Sequence, residues 1–137
     1  MTESVEPKAR ILLYSSDHNT RDSVKLALGT KLADDLPELE IFEVATEPEV
    51  WRHVDKEHFD LLILDGEANP SGGAGIAFTT KNEYKDPPPV LLLVARVPDA
   101  WIATWSKAEA VALMPIDPFK FAKQVEELLR AELAFEN

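Results

Sequence analysis

The reading of this chain turns on Asp60-Leu61-Leu62-Ile63-Leu64-Asp65-Gly66. Four aliphatic residues in a row, with no polar residue alternating between them, suit a short strand covered on both faces. The strand ends at Asp65. A loop follows from Gly66 to Gly75, because Asn69-Pro70-Ser71-Gly72-Gly73 crowds turn residues together. Upstream, Arg10-Ile11-Leu12-Leu13-Tyr14 and Glu40 to Ala45 read as the first two strands. Downstream, Val90-Leu91-Leu92-Leu93-Val94 and Ala110 to Leu113 read as the fourth and fifth.

Helical patterns fill the gaps. Asn19 or Thr20 is the expected cap of the first, with Val24, Ala27 and Leu28 on one face and an end at Gly29 or past Leu32. Thr46 and Glu49 have capping-box spacing ahead of Val50, Trp51, Val54 and His58. A weaker third helix runs through Ile76, Ala77, Thr80 and Tyr84 until Pro87-Pro88-Pro89 stops it. Asp99 is the expected cap of a helix carrying Trp101, Ile102 and Trp105. Asp117-Pro118 opens the last, with Phe121, Val125, Leu128 and Leu129 on one face. Five apolar strands alternating with five helices imply an α/β class: a doubly wound parallel sheet with helices on both faces. Chemistry in such a sheet sits at the carboxyl ends of the strands. Asp17 and Asp65 follow the first and third strands and are expected to converge there.

Composition narrows the classes. A chain of 137 residues reads as a disordered tail over 1–8 and one domain over 9–137. With no cysteine there are no disulfides or thiolate metal sites. A formal net charge of −11 with dispersed cations argues against nucleic acid. No apolar run is long enough to span a bilayer, and the first residues lack a signal-peptide pattern. The expected location is cytoplasmic.

From about Arg10 to about Arg130 the chain resembles the receiver domain of two-component response regulators. The matching stretches are Asp60 to Asp65, Gly75, Pro89 to Ala95, Met114-Pro115 and Asp117-Pro118. The resemblance implies a flavodoxin-like sheet of order 2-1-3-4-5 and a phosphoacceptor at Asp65. It also implies a pair of acids after the first strand for Mg²⁺, a hydroxyl ending the fourth strand, and a lysine before the proline after the fifth. Here those positions read Ser15 and Ser16, Val94 (Ala95 on a one-residue slip) and Met114, so they are degenerate. Val94 and Met114 cannot hold a phosphoryl oxygen by hydrogen bond or charge. Asp17, Asp65, Glu67 and the Glu67 carbonyl are the candidate ligands of a weakly bound Mg²⁺; Ser15 and Ser16 are read as turn residues, with hydroxyl donation as the alternative.

The glycines at 72, 73 and 75 lack the spacing of a phosphate-cradling loop. His18, His53 and His58 share no metal-ligand spacing, and no nucleophile elbow is present. Trp101 and Trp105 lie four apart on one helix, so one indole is expected at the surface as a contact anchor. The leading expectation is a non-enzymatic, stand-alone signalling module in a phosphorelay. Its output would be contact with a protein, a histidine kinase or a regulated effector. The alternatives are a phosphorylation-independent docking or homodimerisation domain, and a small flavodoxin-like ligand-binding protein. Ser15, Ser16, Asn19 and Thr20 suit the last of these, but Asp17 would repel a flavin phosphate.

Overall fold

The computed structural model describes residues 7–96 and 101–136. Most of the expected tail (residues 1–6) and the expected helix cap Asp99 lie outside the described residues. The elements alternate as expected: β1 (Ala9–Tyr14), α1 (His18–Leu28), β2 (Leu39–Val44), α2 (Glu47–Val54), β3 (Leu61–Asp65), α3 (Gly73–Glu83), β4 (Val90–Val94), α4 (Trp101–Ser106), β5 (Ala110–Leu113) and α5 (Pro118–Glu136). All pairings are parallel, in the order β2-β1-β3-β4-β5.

The uninterrupted apolar strands are explained by two cores, one on each face. Ile11, Leu13, Leu61, Ile63, Leu91 and Leu93 pack against Val24 and Leu28 of α1 and Phe121, Val125 and Leu129 of α5. Residues of the opposite parity, among them Leu12, Leu62, Leu64 and Leu92, pack against Val50 of α2 and Ile76 and Ala77 of α3. A strand between two such layers cannot present a polar side chain on either face without a partner.

The β1–β3 register is fixed at the amino edge. The buried Asp60 accepts the Arg10 amide through Oδ2 (2.8 Å), and its own amide donates to the Arg10 carbonyl (2.8 Å). The same register pairs Ile11 with Leu61 and Tyr14 with Leu64. Continued by one residue, it sets Ser15 beside Asp65.

Three helix boundaries differ from the sequence expectation. Asp17, not Asn19 or Thr20, caps α1, its carboxylate accepting the Asn19 amide. The other end of α1 is the earlier of the two expected: the helix stops at Leu28 because Gly29 takes a positive φ of 62°. α2 ends at Val54, leaving His58 to lead into β3. Its capping box is incomplete: Glu49 Oε1 accepts the Thr46 hydroxyl at 3.0 Å, but Thr46 caps no amide. α3 begins at Gly73 rather than Gly75. A Cβ on Gly73 would lie 2.8 Å from Leu64 Cβ and 2.9 Å from the Asp65 carbonyl, so only glycine lets the helix start against β3.

Candidate functional site at the carboxyl edge of the sheet

Asp65 ends β3 with 3% of its surface exposed. Its Oδ2 accepts the Ser15 hydroxyl at 2.7 Å and its Oδ1 accepts the Glu67 amide at 2.8 Å. Ser15 is wholly buried, and its oxygen also accepts the Asp17 amide at 3.1 Å. Reading Ser15 as a turn residue is therefore corrected. The strand pairing carries one step past Tyr14, since the Ser15 amide donates to the Val44 carbonyl at 3.2 Å.

The loop after β3 is tied back to the end of β1. Ser16 accepts the Asn69 amide at 3.0 Å, and the Tyr14 hydroxyl donates to the Ser71 carbonyl. Burial, then the nearby carboxylates of Glu47 and Asp65, push the Tyr14 hydroxyl above its ordinary range. Glu47 is held below the usual carboxylate range by hydrogen bonds from Ser71 and Trp51. Arg21 brings a guanidinium to the end of β1, donating to the Ser15 carbonyl at 2.6 Å and to Glu43 at 3.2 Å.

The structure does not assemble the candidate metal ligands. Asp17 is exposed, and its carboxylate accepts the Asn19 amide (2.9 Å) and the Thr20 hydroxyl (3.5 Å). Glu67 is exposed and directs its amide, not a carboxylate, at Asp65. Among the described residues no three His, Cys, Asp or Glu side chains converge to hold a metal ion. No buried side-chain nitrogen or oxygen among them lacks a partner. The residues present do not fit a resident Mg²⁺: at this edge the buried carboxylate is that of Asp65, and each of its oxygens already accepts from a protein donor.

Across the sheet the edge becomes apolar. Val94 ends β4 buried, and Ala95 beyond it is exposed, so neither alignment supplies a hydroxyl. Met114 packs with the α1–α5 layer. Trp101 is 65% exposed and Trp105 47%, the latter stacked on Phe78 with ring centroids 4.7 Å apart. The pair is thus at the surface, more fully than the single exposed indole expected. Leu113 joins them as an exposed apolar residue. Two more were missed in the sequence, Leu26 and Phe119, at 87% and 89% exposure. Leu26 lines a groove of about 530 Å³ between α1 and the turn into α5, together with Val24, Met114, Pro115 and Ile116. Helical periodicity separates inner from outer faces, but it does not mark an outward Leu or Phe as unusual until neighbouring elements are placed.

The sheet order, the acid ending β3 and the helical layers define a receiver domain. Two response regulatory proteins of Mycobacterium tuberculosis, from two strains, are each 50% identical to this chain over 122 residues, covering 89% of it and 92% of their own length. The chain belongs to that family of response regulatory proteins. No family model matches it. The fold is shared with a CheY-like response regulator receiver domain protein of Methanospirillum hungatei (TM-score 0.73, 20% identity, 93% of this chain and 98% of that one). It is also shared with the response regulator TrrA of Thermotoga maritima, solved with Mg²⁺ and a beryllofluoride (TM-score 0.70, 23% identity, 87% and 97%).

Proposed function

We propose that this chain is a non-enzymatic receiver module that signals by contact with another protein inside the cell, and that its phosphoacceptor position, Asp65, sits in an incomplete site. One observation carries the reading. The Asp65 carboxylate is buried and hydrogen-bonded on both oxygens, while the positions that would grip a phosphoryl group are Val94 and Met114. A phosphoryl group on Asp65 would have no hydroxyl at the end of β4 and no ammonium after β5. Mg²⁺ is at most a weak ligand of such an edge. The partner would be a histidine kinase or a regulated effector.

Incubation of the chain with a small phosphodonor and Mg²⁺, followed by intact mass, tests the reading. The expected result is little or no phosphoryl adduct, and any adduct that forms should be lost in Asp65→Asn. Rapid stoichiometric phosphorylation of Asp65 would contradict the incomplete-site assignment.

A second reading, phosphorylation-independent docking or homodimerisation, is favoured by the exposed Trp101, Trp105 and Leu113. The flavin alternative is disfavoured because Asp17 already caps the start of α1, where a phosphate would bind.

A further inference from the structure

We infer that the Ser15 hydroxyl, not a divalent cation, is the resident partner of the Asp65 carboxylate, and that residue 15 decides whether this edge holds metal. The inference rests on the reading of Asp65 as the acceptor position and deepens it.

Each oxygen of the Asp65 carboxylate already has a protein donor. Ser15 has one proton, which favours Asp65 Oδ2 at 2.7 Å over the Asp17 carbonyl at 3.3 Å, and its oxygen takes the Asp17 amide at 3.1 Å. The other carboxylate oxygen takes the Glu67 amide at 2.8 Å. A cation approaching Oδ2 along the lone pair that Ser15 uses must displace the hydroxyl proton. It would then meet a neutral oxygen at residue 15 in place of a second carboxylate. Mg²⁺ sheds its water reluctantly and depends on ligand charge and near-octahedral geometry. Asp17 does not compensate, because its carboxylate is engaged at the start of α1. Arg21 also holds a positive charge against the Ser15 carbonyl at 2.6 Å, which opposes a second cation.

The pairing is fixed by the sheet rather than by a mobile loop. The bond of Arg10 to Asp60 and that of Ser15 to Asp65 span the same sequence separation, 50 residues, so one register sets both. An aspartate at position 15 would start from that register, with its carboxylate beside Asp65 and no proton to share. Two adjacent carboxylates repel, and a divalent cation relieves the repulsion. Ser15→Asp should therefore create a cation site that the native chain lacks.

The test is a Mg²⁺ titration of the intact chain, read by calorimetry and by the amide NMR shifts of Gly66 and Glu67. Wild type, Ser15→Asp and Ser15→Ala are compared. The native chain should show no saturable shift at millimolar Mg²⁺. Ser15→Asp should bind at least about tenfold more tightly than wild type, as expected when one charged ligand is added. Ser15→Ala should stay non-saturable, which would assign the gain to the carboxylate and not to loss of the hydroxyl. Saturable millimolar binding by the native chain at Gly66 and Glu67 would overturn the inference while leaving Asp65 as the acceptor position. A folded Ser15→Asp that binds no Mg²⁺, or Ser15→Ala binding as tightly as Ser15→Asp, would also overturn it. Binding by Ser15→Asp that shifts amides remote from Asp65 would instead overturn the acceptor reading itself. If Ser15→Asp does not fold, the native titration decides alone.

Discussion

The two halves of the carboxyl edge are built from different chemistry. Over β1 and β3 the edge is polar: Ser15 and the Glu67 amide donate to the buried Asp65 carboxylate, Ser15 also accepts the Asp17 amide, and two further bonds, Asn69 to Ser16 and Tyr14 to Ser71, tie the loop after β3 to the end of β1. Over β4 and β5 the corresponding positions are Val94 and Met114, and the nearby elements expose apolar area at Trp101, Trp105 and Leu113. One half holds a charge; the other offers apolar contact area. A modification shifts a conformational equilibrium only by interacting differently with its two states. With no hydrogen-bonding side chain at Val94 or Met114, the polar half has little means of moving the apolar one.

The backbone joins the halves at Gly66, and the largest effect is expected there. Its amide donates to the Leu93 carbonyl at 2.8 Å, and a Cβ would lie 2.7 Å from that same oxygen. Gly66→Ala should cost about 2–3 kcal/mol in urea denaturation, through overpacking against backbone that cannot rotate away. A loss within experimental error would mean that the loop yields and the halves are loosely joined. Ser15→Ala comes next. It leaves a buried Asp65 oxygen without its donor and should cost about 1–2 kcal/mol, also measured in urea. An unchanged midpoint would show water replacing the hydroxyl.

Trp105→Glu probes the apolar half. The stack on Phe78 is worth about 0.5–1.5 kcal/mol, so the fold should survive with a loss of about that size. Any concentration-dependent association seen by sedimentation should fall. A cooperative loss of structure would make Trp105 a core residue and remove the contact surface.

The smallest effect is alkaline. Burial, and next the hydrogen bond its hydroxyl donates to Asp55, push Tyr84 from an ordinary value near 10 up to about 12. Since the folded value is the higher one, its stabilising contribution is complete below pH 10 and is lost as pH rises through about 12. Phenolate absorbance should show a transition near pH 12 that Tyr84→Phe removes. The Tyr14 transition, also raised, should remain.

Much of this molecule was legible in its sequence. The five strands announce themselves as apolar runs because both faces of the sheet are covered, and Asp65 stands out as the acid ending one of them. Ser15 was not legible. A serine after a strand looks like a turn residue until the register is known, and the register is set at the other end of the strands by Arg10 and Asp60, which are 50 residues apart in sequence. Asp17 is a related case. A carboxylate near a strand end suits a metal and a helix cap equally well, and only the start of α1 at His18 decides between them. The loop of Gly66 to Gly75 was drawn too long because glycine reads as a breaker, whereas Gly73 opens α3 by allowing close approach to Leu64.

The most direct test of the separation between the two halves is a titration with beryllofluoride and Mg²⁺, read by the fluorescence of Trp101 and Trp105 and by the amide shifts of α4. The expected result is at most a small change. That corresponds to a coupling below about 1.4 kcal/mol, less than tenfold in the affinity of the apolar face for a partner. A large, saturable change at α4 that Asp65→Asn abolishes would contradict it. Such a result would show that the polar half still drives the apolar one without a hydroxyl at Val94 or an ammonium at Met114.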